Sequence, residues 1–264
     1  MFRVLNLFDN DDIKTIDQAR TFQVLEYQKD LSVNPYTAET AFYCNKMGVK
    51  KRQVVCNLQN TGVTLQSGAM QWILGDISAT TGVKGVGDLL KKSFRGVATG
   101  ESAIKPEYTG SGYLALEPTY KHILLVDVGE WPDGIVLEDG LFLACESTLT
   151  HRTVARSNVS STLAGGEGLF NLCLTGKGIA CLESNCPKEE LIEIHLQNDV
   201  LKIDGSMAIA WSAGLQFTVE RSSKTLIGSA VGGEGLVNVF RGTGRVLMAP
   251  VGRSVQFENS TVRE

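Results

Sequence analysis

The amino-acid sequence predicts an all-β protein that is built from three tandem copies of one unit. A glutamate that follows glycine occurs three times at a nearly constant spacing, and so does a Gly-x-Gly pair. The glutamates are Glu101, Glu167 and Glu234, and the glycine pairs are Gly110 with Gly112, Gly176 with Gly178, and Gly242 with Gly244. A fixed period, here about 66 residues, indicates repeated structural units.

Alternation of apolar and polar residues predicts that the units consist of strands. Ile192, Ile194 and Leu196 alternate with polar residues that include His195. A period of two is typical of a half-buried strand with one face on the core. We therefore expect short strands throughout, little helix, and a solvent-exposed His195.

Glycine-containing turns separate the predicted strands. Strand-like runs flank Ser67-Gly68, Asp139-Gly140 and Asp204-Gly205, and similar runs flank the Gly-x-Gly pairs. Glycine readily adopts the positive φ that tight turns need. We therefore expect β-hairpins at both kinds of position. In the pairs that begin at Gly176 and Gly242, at least one glycine should have a positive φ.

The repeat divides the chain into three units and a tail. The first unit spans residues 1–118 and contains a divergent N-terminal part and a basic insert at 82–96. The second unit spans 119–184, the third spans 185–251, and residues 252–264 form the tail. Because a unit of about 66 residues buries only a marginal core, we expect the three units to pack together in one body.

Composition favours a cytoplasmic protein that does not bind nucleic acid. The chain has 264 residues, with 25 basic and 29 acidic side chains, which is unlike the basic footprint of a duplex-binding protein. The acidic N-terminus lacks the features of a signal peptide, and no apolar run is long enough to span a bilayer. The six cysteines include no Cys-x-x-Cys pair, so we expect reduced thiols. Cys173 and Cys181 lie in apolar runs and should be buried.

These motifs resemble those of a family named after a yeast protein for altered inheritance of mitochondria, which is widespread in bacteria. The resemblance covers roughly residues 60–251 and rests on Gly165-Gly166-Glu167-Gly168-Leu169-Phe170, the Gly-x-Gly pairs and Ser67-Gly68-Ala69-Met70. It implies three β-sandwich modules like the subunit of the tryptophan RNA-binding attenuation protein, packed with pseudo-three-fold symmetry. In the first copy Ala98-Thr99-Gly100-Glu101-Ser102 departs from the family's Gly-Gly-Glu-Ser-Leu. The resemblance implies no biochemical activity.

Motifs for catalysis, metals and cofactors are not found in the sequence. His122, His151 and His195 stand apart, without the paired histidines of a cupin metal site. The chain has no Gly-x-Ser-x-Gly nucleophile motif, and its glycines fit neither a P-loop nor a dinucleotide fingerprint. We therefore expect no catalytic residue, no metal and no cofactor.

The repeated glutamates and the basic insert are the strongest candidates for a site. Glu101, Glu167 and Glu234 could converge on a cation or a basic partner, but a carboxylate beside glycines also fixes a turn by accepting backbone N–H bonds. We favour the structural interpretation for them and for the paired glycines. The insert mixes charge with apolar side chains and either contacts a partner or membrane surface or forms a solvated loop. Its candidate residues are Lys84, Leu89, Leu90, Lys91, Lys92, Phe94 and Arg95.

The sequence favours a non-enzymatic scaffold or interaction module, at a membrane surface or within an assembly. Its expected partner is another protein or a second copy of the chain, in the cytoplasm or at the membrane periphery. A module that binds RNA or a small ligand is the alternative, and an unrecognised enzyme is a third hypothesis. Fold resemblance alone does not decide among them.

Overall fold

The computed structural model describes residues 2–81, 105–155, 170–204, 207–221 and 236–250. These residues form an all-β protein, as the alternating sequence pattern predicts. The strands are β1 (Ile13–Ala19), β2 (Phe22–Tyr27), β3 (Arg52–Leu65), β4 (Met70–Thr80), β5 (Glu107–Leu116), β6 (His122–Asp127), β7 (Ile135–Leu137), β8 (Phe142–Glu146), β9 (Thr150–Ala155), β10 (Phe170–Thr175), β11 (Ile179–Ser184), β12 (Ile192–Asp204), β13 (Ala208–Ser212), β14 (Gln216–Arg221) and β15 (Leu236–Met248).

Helix is a minor component of the described chain. One α-helix, α1 (Ala38–Lys46), lies in the connection between β2 and β3. Short 3₁₀ turns cover Val128–Glu130 and Lys188–Glu190. The side chain of Asp127 accepts a hydrogen bond from the backbone N–H of Gly129 at 2.9 Å, which caps the first of these turns.

The strands form two sheets. The first has the order β1-β2-β3-β8-β11-β6, with β5 pairing both β3 and β4. The second has the order β12-β15-β13-β7-β10-β9, with β14 also pairing β15. All pairs between these strands are antiparallel. The cores lie along these sheets and are built from buried aliphatic and aromatic residues, for example Phe22, Leu137 and Phe240.

Two long strand pairs share the same register and the same irregularity. Gly112 of β5 lies opposite Leu58 of β3, and Gly244 of β15 lies opposite Leu196 of β12. In both pairs the register then shifts, between Gln59 and Thr61 and between Leu196 and Asp199. A bulge of this kind bends a strand and increases its twist, so the long strands curl in the same way in both parts of the chain.

The predicted hairpins are wrong, although the strands and turns are in the predicted places. β3 and β4 flank Ser67-Gly68 but do not pair with each other, and β7 and β8 flank Asp139-Gly140 but belong to different sheets. Gly68 and Gly140 have φ values of 81° and 75°, as the turn chemistry requires. The local sequence determined the turn but not the partner of each strand. Gly205 lies outside the described residues.

Candidate interaction surface

Several predicted site residues lie outside the part of the chain that the structure describes. These are Glu101, Glu167 and Glu234 and the insert residues Lys84, Leu89, Leu90, Lys91, Lys92, Phe94 and Arg95. The roles proposed for them stay predictions. The six glycines of the Gly-x-Gly pairs are all described.

The Gly-x-Gly pairs lie at bends between strand segments and not at hairpin turns. Gly176 connects β10 to β11, which lie in different sheets and do not pair. Gly110 and Gly242 lie within the continuous strands β5 and β15. The hairpin prediction is therefore wrong here too, because a bent strand needs the same backbone freedom as a turn. The predicted positive φ is confirmed at Gly176 (113°) and Gly242 (121°).

The residue between the two glycines makes an equivalent contact in two of the copies. The hydroxyl of Ser111 accepts a hydrogen bond from the backbone N–H of Asn60 at 3.0 Å. The hydroxyl of Thr243 accepts one from the backbone N–H of Asn198, also at 3.0 Å. Asn60 and Asn198 both have a positive φ, at 54° and 53°. Asparagine tolerates this conformation better than most residues, so the bulged strand and the bent strand are joined in the same manner twice.

A buried carboxylate lies next to the second Gly-x-Gly pair, where no sequence motif indicated one. Glu146 Oε2 accepts a hydrogen bond from the backbone N–H of Ile179 at 2.9 Å, and its Oε1 accepts one from the hydroxyl of Thr21 at 3.1 Å. Arg20 Nη1 lies 3.4 Å from Oε2. The role expected of Glu167, a carboxylate that fixes a bend by accepting a backbone N–H, is filled here by Glu146.

Ser212 has the corresponding role in the third part of the chain. Its hydroxyl, which is fully buried, accepts a hydrogen bond from the backbone N–H of Arg245 at 2.9 Å. Ser212 follows Glu146 by one repeat step, and Arg245 follows Ile179 by the same step. A side chain carbon at Gly178 would come within 3.0 Å of Glu146 Oε2, and one at Gly244 would come within 2.8 Å of Ser212 Cβ. The second glycine of each pair therefore leaves room for the acceptor.

The same strand junction connects successive parts of the chain. Residues 63–65 of β3 pair with residues 144–146 of β8, and residues 135–137 of β7 pair with residues 210–212 of β13. Every residue in these four segments is buried. We call these pairings the first junction and the second junction. Each is three residue pairs long and joins a short strand to the next part of the chain.

Two strands have a free edge in the described structure. Among the described residues β4 pairs only with β5, and β12 pairs only with β15. Ile73 of β4 is 37% exposed and Val200 of β12 is 47% exposed. Unpaired backbone N–H and C=O groups on an edge strand are a template for another strand. We call these two strands the free edges.

Comparisons with known proteins identify the family. The family model described as mitochondrial biogenesis AIM24 matches residues 46–251. The chain belongs to this family. A protein of Streptococcus pyogenes serotype M6, described as uncharacterised, is 31% identical over 204 residues, which cover 73% of this chain and 79% of that protein. The crystal structure of a Streptococcus pyogenes protein superposes with a TM-score of 0.57 at 26% identity, covering 77% of this chain and 89% of the other.

The AIM24 match begins at the last residue of α1, so a second exposed surface lies largely outside it. No residue of α1 is buried, and Phe42 and Tyr43 are 57% and 60% exposed. A groove of about 300 Å³ separates this helix from the sheet, and its walls include Tyr27, Lys50 and Tyr120. The groove lysines already have acidic partners: Lys50 lies 3.4 Å from Glu26, Lys51 lies 2.7 Å from Asp30, and Lys29 lies 2.8 Å from Asp12.

The titratable groups of the described AIM24 chain are placed for structure. Cys56, Cys145 and Cys181 are buried, and burial raises the pKa of Cys145 to about 12 and those of the other two above their usual range. Thiols that stay protonated are poor nucleophiles. Cys173 is buried as predicted. Burial and the charge of Arg52 lower the pKa of His122, so its imidazole is neutral at neutral pH.

Further absences apply only to the residues that the structure describes. In these ranges no three side chains of His, Cys, Asp or Glu come together in a way that could hold a metal ion. His195 is exposed as predicted, and its Nε2 lies 2.9 Å from Glu193 Oε1. Within the same ranges no helix has the length and apolar character needed to cross a membrane.

Proposed function

We propose that the protein is a non-enzymatic assembly module made of three β-units that are joined edge to edge. The observation that carries the proposal is the junction, which occurs twice between equivalent positions of successive units. Strand pairing of this kind supplies main-chain hydrogen bonds without a specialised pocket. The open edges on β4 and β12 are where a further strand joins.

The unit boundaries inferred from the sequence agree with the positions of both junctions. The first junction links a strand before residue 118 to a strand after residue 119, and the second links strands on either side of residue 185. The matched bulges opposite Gly112 and Gly244 support the same division. Approximate three-fold symmetry stays a prediction, because it requires a third junction of the same kind to form within one chain.

An edge-blocking substitution tests the assembly function. Ile73→Lys places a charge on the free edge of β4, which is the way natural proteins protect edge strands. Ile16→Lys is the matched control, since Ile16 is 47% exposed and lies on the edge strand β1. Affinity purification from the native organism, followed by mass spectrometry, should recover a partner or untagged chain with the wild type and Ile16→Lys but not with Ile73→Lys. Equal recovery with all three baits would contradict the proposal.

Peripheral attachment to a membrane is a second candidate, favoured by the exposed aromatic residues around α1. Tyr36 is 95% exposed and Met47 is 79% exposed, and Lys46 lies 5.5 Å from the ring centre of Phe42. Aromatic side chains beside lysine are common at the membrane interface. Under this hypothesis the protein floats with vesicles that contain anionic lipid, and Phe42→Ser reduces the bound fraction. Equal flotation of the wild type and Phe42→Ser would reject a role for α1.

A further inference from the structure

The two formed junctions define the register of a third. Leu65 lies opposite Ala144 in the first junction, and Leu137 lies opposite Ala210 in the second. The advance from Leu65 to Leu137 equals the spacing of the first and second units, and the advance from Ala144 to Ala210 equals that of the second and third. The next member on the first side is therefore Ile203 of β12, and the remaining member on the second side is Trp72 of β4. The same steps place Lys202 opposite Ile73 and Leu201 opposite Leu74.

These predicted partners lie on the two free edges. Within the described chain neither β4 nor β12 pairs with a strand on that side. β4 is eleven residues long, contains no lysine, arginine or proline, and has Asp76 as its single charge. It therefore lacks the charges and prolines that usually protect an edge strand. The most exposed of the three predicted partners on β4 is Ile73, which is 37% exposed.

The side chains in the predicted register fit a junction of three residue pairs. Leu201 faces Leu74 and Ile203 faces Trp72, so apolar side chains meet on one face of the joined strands. The continuation of the register places Asp199 opposite Asp76, and like charges directly opposite each other are unfavourable. The pairing is therefore limited to about the length of the two formed junctions.

We propose that a second copy of the chain supplies the third junction, with β12 of each copy pairing with β4 of the other. Within one chain these strands lie in different sheets and are not paired with each other. A reciprocal exchange around a two-fold axis satisfies both free edges in both copies and closes the assembly. The proposal rests on the assembly function above and adds the identity of the partner and the register.

Engineered disulfides test the partner and the register together. Two single variants, Ile73→Cys and Lys202→Cys, are made in a full-length background in which the partly exposed Cys44 and Cys186 are replaced by serine. When the two proteins are mixed and mildly oxidised, a disulfide between them can form only between copies. The off-register control mixes Ile73→Cys with Ile192→Cys, since Ile192 also lies on β12 and is 42% exposed. Directly opposite residues are close enough for a disulfide after small adjustments.

The expected result is a cross-linked dimer in the Ile73→Cys and Lys202→Cys mixture, with several-fold less in the control. The absence of a dimer that depends on both cysteines would overturn the proposal. A disulfide within one chain in the double variant would also overturn it and would favour closure of the three units on themselves. If Ile73→Lys still abolishes capture of a different protein, the assembly function stands and only the second copy is excluded as partner.

Discussion

β8 and the first half of β4 occupy equivalent positions in successive units but differ in their environment. All five residues of β8 are buried, whereas Trp72 and Leu74 are half-buried and Ile73 is exposed. β8 has a partner on each side, β3 and β11, and β4 pairs only with β5 among the described strands. Burial in this fold therefore follows from completed pairing as well as from the apolar pattern, which both strands have.

The acceptor side chains show the same difference. Glu146 and Ser212 are the last residues of the strands that form the first and second junctions. Each accepts a hydrogen bond from the backbone N–H that directly follows a Gly-x-Gly pair. The equivalent residue of β4 is Leu74, whose side chain has no polar group. The free edge thus lacks a polar contact that both completed junctions contain.

Two matched isoleucines provide the largest contrast. Ile135→Ala, in the second junction, should lower the free energy of unfolding by about 2–5 kcal/mol, because Ile135 is fully buried and its loss leaves a cavity. Ile73→Ala on the free edge should cost less than about 1 kcal/mol. Urea unfolding of both variants measures the difference. Equal costs would mean that the edge of β4 is already covered.

Two glycines separate backbone strain from lack of space. Gly112 and Gly242 both have a positive φ, but a side chain carbon at Gly112 would collide with the carbonyl oxygen of Leu74, whereas at Gly242 the nearest atom is 3.7 Å away. Gly242→Ala should cost about 1 kcal/mol from strain alone, and Gly112→Ala should cost clearly more. Equal losses in urea unfolding would show that β4 shifts freely away from β5.

Removal of the acceptor at a completed junction should have an intermediate effect. Ser212→Ala leaves the backbone N–H of Arg245 without its side-chain acceptor, which costs about 1–3 kcal/mol for a buried donor. Thr218→Ala serves as a control on a neighbouring strand, because Thr218 bonds side chains of a surface ion pair. A cost at Ser212 no larger than at Thr218 would argue against a structural role for the acceptor.

The smallest effect concerns pH and the pair on β14 and β15. Hydrogen bonds from Arg241 and Thr218 lower the pKa of Glu220 to about 2. A lowered pKa stabilises the folded state above the unfolded pKa, and this contribution disappears as the pH falls from about 4.5 towards 2. Because the pair is partly exposed, the change should be small and should weaken with salt. Glu220→Gln should flatten this part of the stability profile, and an unchanged profile would refute the assignment.

Strand positions and bends could be predicted from the sequence, but strand pairing could not. The positive φ at Gly176 and Gly242 followed from their spacing, yet the same backbone freedom serves a hairpin and a bent strand equally well. Which strands meet depends on contacts between residues far apart in the chain. The local pattern around β3 and β4 therefore gave the right elements and the wrong partners.

The site was less predictable than the fold. Repetition drew attention to Glu101, Glu167 and Glu234, whereas Glu146 stands where the other copies have Leu74 and Ser212. Its importance comes from burial and from contacts with Thr21 and Ile179, which only the folded chain brings near. A comparison of positions one repeat step apart would have matched Glu146 with Ser212, but the two side chains share only the ability to accept a hydrogen bond.

Hydrogen–deuterium exchange of the full chain at low and high protein concentration tests the central claim most directly. The claim is that two junctions are complete within one chain and that the third edge pair is open to a partner. Peptides that cover residues 135–137 should be protected at both concentrations, and peptides that cover 72–74 and 201–203 should gain protection together as the concentration rises. Protection of 72–74 and 201–203 at the lowest concentration, or rapid exchange at every concentration, would contradict the account.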